Sequence, residues 1–308
     1  MVVYRRIEDV LPVAHTVLTI GSYDGLHRGH QEVIRRVVEK GRQGNRKSVV
    51  VTFDPHPKQV LGPPEDRFDL LMDIDRKLRF LELMGVDIAL VIPFTHDFSR
   101  TSAGDFLDTV IVPNFQPDEI IIGHDHRFGH NREGDSRLLR RYQEMGRFRV
   151  EVVSGITGDN RVISSRYIRD LIRQGRVQEA SHELGWVYGF DATVVRGAGR
   201  GRELSFPTAN FIPKNPHQLI PKTGVYCARG TVREKGYEGM ANIGTRPTFN
   251  GNGLVMEIHF FDGNMEDLYG ETIQVEFVER IRDEKKFRSA RELVRQLEKD
   301  RETCLGLS

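Results

Sequence analysis

The sequence predicts two architectures in succession: an α/β unit on a doubly wound, Rossmann-like parallel sheet, then a small antiparallel β-barrel with a terminal helix. Two observations carry this. Over roughly the first 185 residues, short apolar runs rich in β-branched side chains alternate with amphipathic helical patterns, as in a parallel sheet covered on both faces. From Trp186 onward, strand-like segments follow one another across Gly-rich turns with no long helical pattern between them, as in a small barrel. The boundary falls near Gly185, giving domains 1–185 and 186–308.

In chain order, strands are expected at 16–20, 48–53, 86–92, 119–122 and 149–153, with helices at 30–40, 74–84 and 104–112 between them. A helical stretch over 164–184 puts Ile168, Leu171 and Ile172 on one face. The second unit offers strands at 187–195, 224–232, 238–243, 254–261 and 272–277. An amphipathic helix over 288–304 closes the chain, with Leu293, Val294 and Leu297 apolar. Open parallel sheets bind ligands beyond the carboxyl ends of their strands. Three motifs fall there: the loop opening at Gly21, Asp54-Pro55-His56-Pro57, and Gly123-His124-Asp125.

Composition narrows the classes. With 38% hydrophobic and 29% charged residues the chain reads as globular, and a net charge of +1 supplies no global field for nucleic acid. No uninterrupted apolar run approaches the ~20 residues of a bilayer span, so no membrane partner is expected. The first ten residues, carrying Arg5, Arg6, Glu8 and Asp9, lack a signal-peptide core. Cys227 and Cys304 are the two cysteines. Their wide separation argues against a disulfide scaffold and for a reducing, cytoplasmic setting.

Two phosphate-handling signatures stand out, neither ending in the Gly-Lys-Ser/Thr of a Walker loop. The first is Gly21-Ser22-Tyr23-Asp24-Gly25-Leu26-His27-Arg28-Gly29-His30, just after the first strand and opening a helix. Gly25 and Gly29 let backbone approach a phosphate, and the helix N-terminus favours an anion. His27 and His30 can donate to charge developing on an α-phosphate. Taken alone, a surface turn or a two-histidine metal site is also open. Further on, Ser164 and Ser165 can cap a helix whose Arg169 neutralises a leaving pyrophosphate; an ordinary N-cap with a solvated Arg is the alternative. Asp125 reads as a polar group facing nucleotide or flavin. His124 and His126 form a His-x-His pair that lacks further zinc ligands at suitable spacing nearby.

The second signature is Gly197-Ala198-Gly199-Arg200-Gly201-Arg202. No helical pattern follows it, which excludes a dinucleotide fingerprint. A loop of Gly197, Gly199, Arg200, Gly201 and Arg202 can fold over polyphosphate, or it can be a solvated hairpin loop. In Phe206-Pro207-Thr208-Ala209-Asn210, Thr208 and Asn210 supply neutral oxygens that suit Mg²⁺. Glu257 is either a general base or an outward strand carboxylate.

Together these stretches resemble the bifunctional bacterial riboflavin kinase/FAD synthetase (FMN adenylyltransferase) family. The likeness covers residues 16–170 through the 21–30 loop, Thr52-Phe53-Asp54-Pro55-His56-Pro57, residues 123–134 and residues 163–169. Over 186–287 it continues through Phe206-Pro207-Thr208-Ala209-Asn210, Gly224-Val225-Tyr226, the stretch from Asn242 to Phe249, Glu257-Ile258-His259 and Asp267-Leu268-Tyr269-Gly270. It departs from the family pattern at Tyr23 (usually Phe), His126 (usually Phe), Arg166 (usually Thr) and Ser205 (often Gly). The resemblance implies a nucleotidyltransferase-like first domain and a riboflavin kinase-like second one. It implies ATP-dependent phosphorylation of riboflavin to FMN, then adenylylation of FMN to FAD with release of pyrophosphate, both with Mg²⁺. By it, His27 and His30 serve adenylyl transfer, and Gly21, Tyr23, Gly25, Gly29, Asp125, Ser164, Ser165 and Arg169 line that nucleotide site. Thr208 and Asn210 hold Mg²⁺-ATP, Glu257 is the base for the ribityl hydroxyl, and Arg282 and Phe287 contact flavin. Without it, the residues leave open a first domain that is scaffold only, a flavin- or nucleotide-binding regulator without turnover, and transfer onto another phosphate acceptor.

Overall fold

Six parallel strands form the first sheet, in the order β1-β4-β3-β2-β5-β6. They are β1 (Val2–Tyr4), β2 (Thr16–Ile20), β3 (Lys47–Asp54), β4 (Ile88–Pro93), β5 (Pro117–Gly123) and β6 (Arg149–Val153). The computed structural model that displays them describes residues 1–63, 67–158, 161–197, 206–248, 251–261 and 268–307. Strand β2 is central because its five residues are all buried, and it pairs with β3 on one side and β5 on the other. The chain thus runs outward from β2 in both directions, and the switch point lies at the carboxyl ends of β2 and β5.

Helix α1 (Arg28–Gln43) lays Val33, Ile34, Val37, Val38 and Gly41 against this sheet, a stripe that fits a 3.6-residue period. Helix α2 (Pro57–Leu61) follows β3, and α3 (Ile74–Leu83) starts at Asp73, whose carboxylate accepts from the Arg76 amide at 2.8 Å. The helix expected at 104–112 is longer. It runs as α4 (Ala103–Phe106), a π-turn over Leu107–Ile111, and α5 (Val112–Phe115), ending at Gln116 with φ 35°. Helix α6 (Ser136–Glu144) precedes β6, and β7 (Thr157–Gly158) with β8 (Arg161–Val162) makes a small antiparallel pair.

Contacts divide the chain into two compact units, Met1–Ser165 and Arg166–Ser308. The stretch expected as one helix over 164–184 is two, α7 (Ser165–Arg173) and α8 (Val177–Leu184), broken at Gly175 with φ 82°. Only glycine takes that left-handed turn cheaply. Gly185, at φ 77°, caps α8.

The second unit is a closed barrel in the order β10-β13-β12-β11-β14-β9. Its strands are β9 (Gly189–Val195), β10 (Ala209–Pro213), β11 (Gly224–Val232), β12 (Lys235–Thr248), β13 (Gly251–Phe260) and β14 (Thr272–Arg282). Phe190, Phe211, Tyr226, Ile258 and Phe277, all at most 1% exposed, alternate with outward residues and fill the barrel. Helix α9 (Ala290–Leu305) lies against β12.

One sequence expectation fails here. Cys227 on β11 and Cys304 in the last turn of α9 form a disulfide, with Cα atoms 5.1 Å apart. The chain between them, a sequence separation of 77, returns on itself through three antiparallel strands and a helix. Distance along the chain therefore says nothing about distance in space. The bridge sits in an outer apolar patch with Met240, Phe206, Phe261, Val278, Ile281 and Leu297.

Candidate functional site

The first signature lies at the switch point. The turn after β2 passes through left-handed backbone at Tyr23, Gly25 and Leu26, so the chain reverses tightly. Tyr23 folds back over Gly21, where a Cβ would lie 2.7 Å from the ring. Its phenol donates to Thr19 Oγ1 at 2.5 Å, and Thr19 in turn donates to the Ile121 carbonyl of β5 at 2.5 Å. The hydroxyl that distinguishes Tyr from Phe at this position is thus satisfied in the core, and burial pushes its pKa up. The buried Asp24 carboxylate accepts from the amides of Leu71 at 3.1 Å and Met72 at 3.3 Å, fastening the turn to the segment before α3.

His27 caps α1: its Nδ1 accepts from the His30 amide at 3.3 Å. A neutral His27 ring therefore carries its proton on Nε2. The two imidazoles stack at 3.5 Å between centroids, with Gly29 leaving room beside His27. His30 is held well below the usual histidine range by burial, then by His27 and Lys77. Its Nδ1 is buried and has no hydrogen-bond partner among the described residues. Ser165 Oγ donates to the Asp24 carbonyl at 3.0 Å, so residues 141 positions apart meet on one turn. Gly123 ends β5, and Asp125 stands exposed just beyond it. Ser164 immediately precedes α7, and Arg169 is buried on that helix. His126 stacks on Phe128 at 5.4 Å, and burial holds its pKa down at about 4.

In the barrel, register assembles the second group. Asn210 on β10 pairs with Glu257 on β13, which pairs with Asn242 on β12. Directly paired residues point to the same face, and the interior belongs to their neighbours Phe211, Ile258 and Ile243. Asn210, Glu257 and Asn242 therefore form an outward row across three adjacent strands. Gly197, just past β9, lies so close to Asn210 that a Cβ there would overlap its amide. His259 donates from Nδ1 to the Pro207 carbonyl at 2.8 Å and packs on Phe206, holding the segment that presents Thr208. Gly199, Arg200, Gly201 and Arg202 lie outside the described residues. Arg282 is engaged by Asp300 of α9, Nε to Oδ1 at 2.9 Å and Nη2 to Oδ2 at 2.6 Å, and Phe287 is half-buried before that helix. Sequence reasoning missed the roles of Asp24, Asn242 and Lys77. The first two stood inside quoted motifs, and only the fold reveals what they touch.

With the geometry in place, comparison with known proteins is decisive. The FAD synthetase family model matches residues 12–167 and the riboflavin kinase family model matches 184–307. The bifunctional riboflavin kinase/FMN adenylyltransferase of Listeria monocytogenes is 37% identical over 92% of this chain and 90% of its own. The chain belongs to the bifunctional riboflavin kinase/FMN adenylyltransferase family. Another member, from Bacillus subtilis, is 33% identical over 95% of this chain and 92% of its own. A crystal structure from Streptococcus pneumoniae, described as a macrolide-efflux protein, is 32% identical, with a TM-score of 0.91 over 100% of this chain and 99% of that one. Among the described residues of this family member, no helix is long and apolar enough to cross a membrane.

Proposed function

We infer that this chain catalyses two consecutive reactions: ATP phosphorylates riboflavin to FMN, and a second ATP adenylylates FMN to FAD with loss of pyrophosphate. The observation that carries it is the pair of family matches in one chain, FAD synthetase over residues 12–167 and riboflavin kinase over residues 184–307. We propose that residues 186–308 perform the first step and residues 1–185 the second, in a cytoplasm that supplies ATP to both.

In the kinase reaction, Glu257 takes the proton of the ribityl 5′-hydroxyl as that oxygen bonds to the γ-phosphorus and ADP leaves. Its place in register between Asn210 and Asn242 on the outer face of the barrel supports this role, because it sets the carboxylate beside the proposed Mg²⁺-ATP residue Asn210. The hydroxyl of Thr208 and the amide oxygen of Asn210 are hard, neutral donors, and Gly197 leaves the amide its space. That donor set fits Mg²⁺, which when bound neutralises polyphosphate charge. We assign Gly197, Gly199, Arg200, Gly201 and Arg202 to the ATP phosphates, and Arg282 and Phe287 to the flavin side.

In the transferase reaction, an FMN phosphate oxygen attacks the α-phosphorus of ATP and pyrophosphate leaves. We propose that His27 Nε2–H and the His30 ring donate to the α-phosphate, where charge builds. Gly21, Tyr23, Gly25 and Gly29 shape the turn around the phosphates, Ser164 and Ser165 sit at the start of α7, and Arg169 receives the pyrophosphate. Asp125 serves as a polar contact at the β5 end.

A time course of products from riboflavin, excess ATP and Mg²⁺ tests the scheme: FMN should appear first and FAD later. Glu257→Gln should slow FMN formation about 10²–10⁴-fold yet convert supplied FMN to FAD normally. His27→Ala should slow FAD formation about 10²–10³-fold and leave FMN formation intact. Riboflavin left unchanged by the wild-type protein would sink the kinase half. FMN accumulating without FAD would sink the transferase half.

A further inference from the structure

One buried cation at the first site has no place in the scheme so far. Lys77 projects from α3, is 4% exposed, and ends at the carboxyl end of the sheet. Its Nζ donates to the Ser22 carbonyl at 2.7 Å and approaches Thr52 Oγ1, on β3, at 3.5 Å. Thr52, itself fully buried, directs its hydroxyl to the same Ser22 carbonyl at 3.4 Å. Two donors from two elements thus converge on one peptide oxygen of the phosphate turn.

We propose that Lys77 is a positioning residue for adenylyl transfer: its buried ammonium keeps the Ser22 carbonyl turned into the sheet, so that the turn presents its backbone N–H groups to the ATP phosphates. The argument is geometric. In a trans peptide the carbonyl and the following N–H point in opposite directions. Anchoring the Ser22 carbonyl inward therefore aims the Tyr23 N–H outward, toward the mouth at the switch point. An alternative peptide orientation would put a carbonyl oxygen where a phosphate must come.

Burying an ammonium is costly, and the surroundings compensate. The carboxylates of Asp24, Asp54 and Asp73 face Lys77 from the turn, from the end of β3 and from the cap of α3, while burial opposes them and holds its pKa down. Asp24 is at the same time committed to the Leu71 and Met72 amides. The lysine also acts on the histidine pair. His30 packs against Tyr23 and His27, and after burial itself the nearby Lys77 ammonium adds to what disfavours a proton on its ring. A neutral His30 keeps one nitrogen as a donor and one as an acceptor, whereas an imidazolium would only donate.

The inference rests on the adenylyltransferase reading of the N-terminal unit, and the test separates the two. Wild-type protein that makes no FAD from FMN and ATP defeats the reading itself. With that activity present, Lys77→Met should raise KM for ATP in FMN adenylylation about tenfold or more, the loss of one charge-assisted hydrogen bond. Its kcat should change less than about threefold, and riboflavin phosphorylation should be unaffected. The His30 ring, titrated by NMR, should take up its proton at higher pH; loosened packing would move it the same way, so the charge-keeping Lys77→Arg separates the two causes. Lys77→Arg keeps the charge and should leave the His30 midpoint where wild type has it. This arm stands even if Lys77→Met does not fold. A Lys77→Met enzyme with wild-type KM and a wild-type His30 midpoint overturns the proposal, as does an upward-shifted midpoint in Lys77→Arg.

Discussion

Single side chains decide much of the chemistry, and His126 illustrates how an unusual residue is absorbed. It behaves as an aromatic ring, stacked on Phe128, and its buried Nε2 has no hydrogen-bond partner among the described residues. Its proton affinity is depressed to about 4, first by burial and then by Arg127 and Arg132, with Asp125 opposing. The unfolded chain binds a proton near pH 6.5, before the folded one does, so stability is full above about 6.5 and falls as pH drops toward 4. Replacing His126 with Phe should flatten that slope in denaturant unfolding curves collected across this window, while FAD formation is retained. An unchanged slope would place the acid sensitivity elsewhere. The sequence announced the histidines of the 21–30 loop because spacing and flanking glycines are local signals. It could not announce Lys77, whose contacts to Ser22 and Thr52 bridge 55 and 25 positions.

Among elements, the terminal helix is the one whose attachment can be read most directly. Arg282 at the end of β14 and Asp300 of α9 form a bidentate pair in which the carboxylate is 3% exposed, and Gln296 adds a donor at 2.9 Å. Removing one member strands the other charge away from water, which costs about 3–5 kcal/mol. Asp300→Ala should therefore lower the unfolding free energy of the barrel unit by about that amount in denaturant titrations. A loss below about 1 kcal/mol would mean that water reaches Arg282 readily. Helix periodicity over 288–304 was visible in the sequence, as were the strands of the parallel sheet apart from the three-residue edge strand β1. Strand β10 was not, because the run from Ala209 to Pro213 is short, polar at Asn210 and ends in proline. Its assignment as a strand, and with it the outward row of Asn210, Glu257 and Asn242, depends on pairing with partners far along the chain. The break between α7 and α8 hinges on Gly175, a residue that patterns of hydrophobicity alone pass over.

At the scale of the molecule, both the order of the two architectures and the family were legible, since each unit carries several motifs in sequence. The bond between Cys227 and Cys304 was not, because cysteine spacing carries no information about a closed barrel with a helix laid on its wall. That bond has a topological consequence. It makes the chain from Cys227 to Cys304 a covalent ring, with Asn242, Glu257 and Arg282 inside it and Thr208 and Asn210 on the tail that enters it. A single protease cut within the ring cannot release a fragment. Nicked protein should migrate as one band on a denaturing gel without reductant and as two with it. Two bands without reductant would mean that the ring is open.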